Sequence, residues 1–518
     1  MILELTVFLL FCAAALGWVA YRFQFPYPIA LVAGGAILGL MPRLPQFPFD
    51  PQFILVLILP PVLYQAALMT SWTDFKAHIR PIGLLSIGLV VATTLAVGAA
   101  LKLLVPDVPW AAAFVLGAIV SPPDAVAATA ILSKLNIPRR VVTVLEGESL
   151  VNDASGLVIY KFAVAAVLTG VFSLSGALVQ FGGIALGGLL VGIGMAYLFI
   201  AIHKRIGDPF IEILVSLLVP YATYIVAESV HASGVLALVA AGLVRGRYAP
   251  EIVSASMRVL GRPAWQLVVF LLNSLTFMLI GLQMSSIMDK LSLYSPVQLL
   301  ALGSTISLVA VGVRFVWVYC TALLPGSWSK KGMAHEPPPN ARENFIISWC
   351  GMRGIVSIAA ALSLPLVLPS GAAFPHRDLI IFLTFFVIAV TLVVQGLSLP
   401  VLIRKLQVGT SRNEHEEKRR VQAAISAAAL RVLEEQVGQQ ASPGFWLESL
   451  RTEMTSRIAL CQMPDEGVQK RDESILHLRR ALIQAERKEL IRLWRDNQVS
   501  DEVMHRLEET LDHLEAAL

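Results

Sequence analysis

Ser121-Pro122-Pro123-Asp124 and, much later in the chain, Cys350-Gly351-Met352-Arg353-Gly354 decide how this sequence is read. Each lies inside an apolar run, each carries a charge, and neither can continue as regular helix. Two consecutive prolines remove backbone donors and collide with the preceding turn. Glycines on both sides of an arginine weaken helix where the charge sits. Hydrocarbon tolerates irregular backbone only where protein or a polar cavity surrounds it. An ionisable group at that depth is in itself a functional-site hypothesis.

Outward from these two segments the chain is membrane-like. Its 518 residues are 56% hydrophobic and 15% charged, with mean hydropathy +0.71, whereas a soluble domain carries about a quarter charged residues. Runs able to cross about 30 Å of hydrocarbon fall at 3–22, 26–41, 52–70, 81–105, 110–134, 141–168, 175–202, 209–228, 233–246, 263–286, 296–322, 343–367 and 378–403. These are thirteen spans, the ninth being the shortest. Ile2–Ala20 has neither a basic start nor a small-residue cleavage site and reads as a first span, not a removed signal. Lys and Arg divide fifteen to four between alternating loops. The basic excess marks the cytoplasmic side, placing the N-terminus outside and the C-terminus in the cytoplasm.

Asp124 belongs to the fifth span and Arg353 to the twelfth. That odd offset makes the two broken spans run in opposite directions, the signature of an inverted-repeat transporter whose broken helices cross at the substrate site. Spans 1–6 and 8–13 are then the repeats. The expected fold is all-α: a polytopic membrane domain over 1–405 and a helical cytoplasmic tail over 406–518. In the tail, Met504, Leu507, Leu511, Leu514 and Leu518 form a short heptad stripe. Two heptads favour an amphipathic helix packed on its own tail over a coiled coil or a dimer contact. The four cysteines have no pairing or ligand spacing and read as free thiols. A net charge of +4 makes no case for a nucleic-acid partner.

The densest polar cluster inside a span is Glu146-Gly147-Glu148-Ser149-Leu150-Val151-Asn152-Asp153. Glu148 with Asn152, and Ser149 with Asp153, are four apart and share a helix face. Carboxylate, hydroxyl and carbonyl oxygens suit a hard monovalent cation, and no His/Cys/Glu set suits a transition metal. Asp124, Asp153 and Arg353 fall near the midplane. Glu146, Lys161, Glu212, Glu228 and Arg314 fall nearer the span ends, where side chains can snorkel.

Glu146-Gly-Glu-Ser-Leu-Val-Asn152-Asp153 resembles the Asn-Asp motif of the NHE/NhaP-like branch of the cation:proton antiporters. Leu59-Pro-Pro-Val-Leu-Tyr64-Gln65, Ser121-Pro-Pro-Asp124, Glu228 through Leu243, Phe270-Leu-Leu-Asn273 and Gly351-Met-Arg353-Gly354 are similar to its other signatures, in the family's order. Pro123 stands where many members have Thr, and Gln65 where an acidic residue is common. The resemblance implies a homodimeric carrier in a cell membrane. Spans 4–6 and 11–13 would move against a dimerisation domain of spans 1–3 and 7–10. It implies that Asp153 carries either a proton or a cation, with Asp124 and Ser149 as cation ligands and Asn152 bracing the crossing. It also implies a buried Glu148–Arg353 ion pair that orients the site or tunes Asp153.

The expected activity is electroneutral Na⁺/H⁺ antiport in pH homeostasis, because the resemblance places a second Asp at position 152 in electrogenic members. Burial disfavours a carboxylate's charged form, so proton and cation compete for Asp153. No cofactor and no enzymatic step are expected. Li⁺ or K⁺ could replace Na⁺ at the same site, making K⁺/H⁺ antiport the nearest alternative. A sodium-coupled organic-solute symporter, an ion channel and an intramembrane aspartyl protease built on Asp124 and Asp153 are the competing classes.

Overall fold

The computed structural model describes residues 2–23, 27–39, 54–124, 128–129, 132, 137–170, 174–289, 291, 294–324, 340–408, 412–438, 445–462, 465–496, 498–499 and 501–516. Helix occupies all thirteen apolar runs. In order these are α1 (Ile2–Arg22), α2 (Tyr27–Gly39), α3 (Leu59–Met69), α4 (Ile79–Leu104), α5 (Trp110–Val120, helical again at 128–129), α6 (Arg139–Thr169) and α7 (Leu174–His203). Then come α8 (Pro209–Ser229), α9 (Gly234–Ile252), α10 (Ala255–Asp289), α11 (Pro296–Leu323), α12 in two halves (Ala341–Trp349 and Ile355–Leu362) and α13 (Arg377–Leu406). Six of the described helices are long and apolar enough to cross a membrane unaided. The first half of α5 and the two halves of α12 are not, because each span is interrupted where the proline and glycine signals fall.

Two bundles pack within this unit. α4, α5, α6, α11, α12 and α13 contact one another, as do α1, α2, α3, α7, α8, α9 and α10. Small residues allow the tightest approaches: a Cβ on Gly117 of α5 would press on the Thr94 backbone of α4 at 2.9 Å, and one on Gly281 of α10 would meet Ala36 N of α2 at 2.5 Å. α4 and α13 each contain a π-helical stretch, Leu84–Leu89 and Thr391–Gln395. A π-turn leaves backbone carbonyls without helical partners, and here side chains take them up. Trp317 Nε1 donates to Leu84 O at 3.0 Å, and Ser155 Oγ donates to Ser86 O.

The ninth span is longer than its apolar run. α9 continues through Ile252, so Arg245, which falls at the end of the ninth run and is one of the fifteen basic residues tallied for the cytoplasmic loops, is a buried helical residue donating to Tyr64 Oη and to His203 Nε2. Cys12, Cys320 and Cys350 are free thiols; the side chain of Cys461 lies outside the described residues.

The chain divides into compact units at Met1–Thr410 and Ser411–Leu518. The second is built from α14 (Arg412–Gly438), α15 (Phe445–Gln462), α16 (Asp465–Arg495) and α17 (Asp501–Ala516). α16 and α17 bury Ile483, Leu490, Met504 and Leu511 between them. Arg487 braces the pair through Asp512 at 2.6 Å and Glu515 at 2.8 Å. Leu507 and Leu514 stay exposed, so the heptad stripe serves an intramolecular helix pair with two of its four described residues; Leu518 lies outside the described set.

Candidate cation site

The two breaks meet. The Asp124 N–H donates to Met352 O at 2.7 Å, joining the interrupted backbone of α5 to that of α12. Asn152 of α6 holds the crossing in place through Nδ2, which donates to Pro123 O at 2.9 Å. Gly156, one turn along α6, leaves room for the Pro122 ring, and any Cβ there would overlap it. Gly354 does the same for Asp124, whose carboxylate occupies the volume a Cβ would need and whose own Cβ would be 2.5 Å away. Gly354→Ala must therefore displace Asp124 or the crossing itself. We expect at least a tenfold loss of transport rate with folding intact; wild-type flux from this variant in proteoliposomes would show that the close approach has no functional weight.

Three of the interrupted helix ends at the crossing face a compensating charge. Arg353 Nε donates to Val120 O at 2.9 Å, its Nη1 donates to Gly351 O, and its backbone N–H donates to Thr391 Oγ1 at 3.2 Å. Val120 ends the first half of α5, and Gly351 lies just past the first half of α12. One guanidinium thus lies against carbonyls at the two helix C-termini, the partially negative ends. Asp124 lies against Gly354, the residue before the second half of α12, at a partially positive end.

The ion pair that the resemblance assigned to Glu148 and Arg353 is made differently. Glu148 is bound by Arg314 of α11, with Nη1–Oε1 at 2.5 Å and Nη2–Oε2 at 2.7 Å, both side chains 1% exposed. Arg314 Nε is also held by Ile347 O at 3.1 Å. Five residues along a helix turn a side chain by about 140°, which carries Glu148 away from the face that bears Asp153. Sequence position placed Arg314 near a span end, and no local signal marked it as the partner.

A cavity of about 280 Å³ opens between the two bundles. α3 and α10 supply one wall, including Leu59, Gln65, Ala66, Met69 and Val269, with Thr70 just beyond α3. The other wall holds Asp124, Thr129, Glu146, Ser149, Asp153 and Val356. Of the sequence candidates, Asp153, Asp124 and Ser149 therefore converge on one space, and Asn152 stands behind it. Thr129 and Glu146 also line the cavity. Thr129 follows the α5 break by little more than one turn, and that spacing was the available signal. Asp153 is 6% exposed and takes part in no ion pair among the described residues. Lys161, farther along α6, approaches Glu228 at 3.9 Å instead.

A multi-pass helical protein with crossed, interrupted helices and an unpaired carboxylate at the crossing is a secondary transporter, not an enzyme. Residues 7–405 match the family described as "Sodium/hydrogen exchanger, transmembrane". The chain belongs to the sodium/hydrogen exchanger family of cation/proton antiporters. It is 33% identical to the Escherichia coli protein named uncharacterized Na(+)/H(+) exchanger YjcE, over 96% of this chain and 94% of that one. It is 35% identical to the sodium, potassium, lithium and rubidium/H(+) antiporter of Bacillus pumilus, over 73% of this chain and 58% of that protein. The fold matches the sodium proton antiporter MjNhaP1 of Methanocaldococcus jannaschii with TM-score 0.61 at 19% identity, covering 78% of this chain and 99% of that one.

Proposed function

We propose that this chain exchanges one monovalent cation, Na⁺ foremost, for one proton, with Asp153 as the carboxylate for which the two compete. The observation that carries the reading is the charge arrangement at the crossing. Glu148 is neutralised by Arg314, Arg353 by helix C-terminal carbonyls, and Asp124 faces a helix N-terminus. Asp153 is left with a negative charge and no fixed counter-charge. A buried uncompensated carboxylate is costly, so the moving bundle crosses only with a proton or a cation on it. Coupling follows without a separate gate, and each crossing carries the same net charge, which makes the exchange electroneutral.

Asp124, Ser149 and Thr129, which line the cavity, would supply further oxygens to the cation, and Asn152 would brace the backbone. The cavity runs from Asp153 past Ser149 to Glu146, toward the Arg139 end of α6. The loops at that end carry the basic excess, so this is the cytoplasm-facing state of a carrier in the cell membrane. The bundle of α1–α3 and α7–α10 is the static partner, through which two copies would pair as a homodimer.

K⁺ and Li⁺ are a second set of substrates, favoured by the name of the Bacillus pumilus relative. The test is proton flux in sealed proteoliposomes carrying a lumenal pH dye, with Na⁺, Li⁺ or K⁺ added in turn. We expect a cation-driven pH change whose rate shifts by less than about twofold when the membrane potential is clamped. A flux that scales with voltage, by the tenfold per 59 mV expected of one uncompensated charge (about 2.3 kcal/mol per 100 mV), would overturn electroneutrality. Absence of cation-dependent proton movement would overturn antiport.

A further inference from the structure

Glu146 lies on the stripe of α6 that holds Ser149, Leu150 and Asp153, and all four line the same cavity. The spacing of three, four and seven residues puts them on one helix face, with Glu146 about 10 Å from Asp153 along the axis. That is too far to share an ion directly with Asp153, yet within about one Debye length. The basic residues at this end of α6 are already engaged. Arg139 pairs with Asp74 at 2.7 Å, and Arg140 pairs with Glu343. Glu146 takes part in no ion pair among the described residues. Among the described residues no Lys, Arg or His lines the cavity, and its charged groups are Asp124, Glu146 and Asp153. Facing them across the space, α3 and Thr70 present neutral Gln65, the Thr70 hydroxyl and apolar side chains.

We infer that Glu146 is a capture residue on the cytoplasmic path, drawing the monovalent cation into the cavity and setting apparent affinity on that side alone. The inference rests on the antiport reading and deepens it. A carboxylate on an apolar-walled path focuses field lines and raises the local cation concentration. Glu146 stands on the Arg139 side of Asp153, whereas Tyr160, Lys161 and the α6 C-terminus lie beyond it. A cation arriving from outside would reach Asp153 without passing Glu146.

The experiment compares wild type, Glu146→Gln and Glu146→Asp in vesicles of both orientations, with Na⁺ as the probe. In Glu146→Gln the apparent KM for Na⁺ on the cytoplasmic side should rise about three- to tenfold. Vmax and the KM on the other side should stay within twofold. Raising ionic strength with an impermeant salt should raise the wild-type cytoplasmic KM through screening, leave Glu146→Gln flat, and act on Glu146→Asp as on wild type. A purely structural role would not produce that salt dependence. An unchanged cytoplasmic KM, an equal change on both sides, or loss of exchange in Glu146→Gln beside an active wild type would each overturn the capture role. No exchange in the wild type would instead defeat the antiport reading itself.

Discussion

Asp153→Asn should reduce cation-driven proton movement by at least 100-fold while the protein remains folded. Asparagine keeps the volume and can still hydrogen-bond, so α6 and the crossing have no reason to rearrange. What disappears is the carboxylate proposed to alternate between a proton and a cation. The variant crosses the membrane with nothing to carry. Because the wild-type carboxylate is 6% exposed and unpaired, removing its charge also removes a desolvation cost. The melting temperature in detergent should therefore be equal or higher. Persistent pH-dependent exchange by well-folded Asp153→Asn would sink the single-carboxylate scheme.

Arg314→Met should be among the most destabilising single substitutions in the membrane unit. It leaves Glu148 as an uncompensated charge in a site 1% exposed, and breaking a buried pair from one side costs about 3–5 kcal/mol. Replacing both partners, Glu148→Gln with Arg314→Met, should recover most of that loss, since two neutral side chains need no mutual compensation. A double-mutant cycle read by thermal unfolding decides the pairing. Strong coupling between 148 and 314, with weak coupling between 148 and 353, matches the geometry, and the reverse result would restore the Glu148–Arg353 pair. Arg353 replacements should act differently, by uncapping Val120 O and Gly351 O and loosening the crossing.

Much of the architecture was legible because a membrane leaves a chain few options. Runs of apolar residues must be helices, since hydrocarbon offers no other partner for the backbone. Pro122-Pro123 and Gly351/Gly354 announced the breaks because their backbone chemistry forbids regular helix wherever they stand. The odd offset between the two broken spans then required them to be antiparallel. Arg245 shows where such reading runs short: a guanidinium counted as a loop charge lies inside α9, satisfied by Tyr64 and His203 from two other helices. Nothing near position 245 encodes those partners.

By itself the sequence determined the helical membrane fold, the two interruptions, and the family to which the motifs belong. It also placed Asp153 and Ser149 on one helix face, because helical periodicity is a local property. The tertiary structure decided which distant charges meet. Arg314 reaches Glu148 from a different helix, Arg353 turns to carbonyls instead of a carboxylate, and Thr129 and Glu146 share the space around Asp153. Those choices depend on how helices pack and rotate against one another, and a buried charge takes whichever partner that packing brings within a few ångströms.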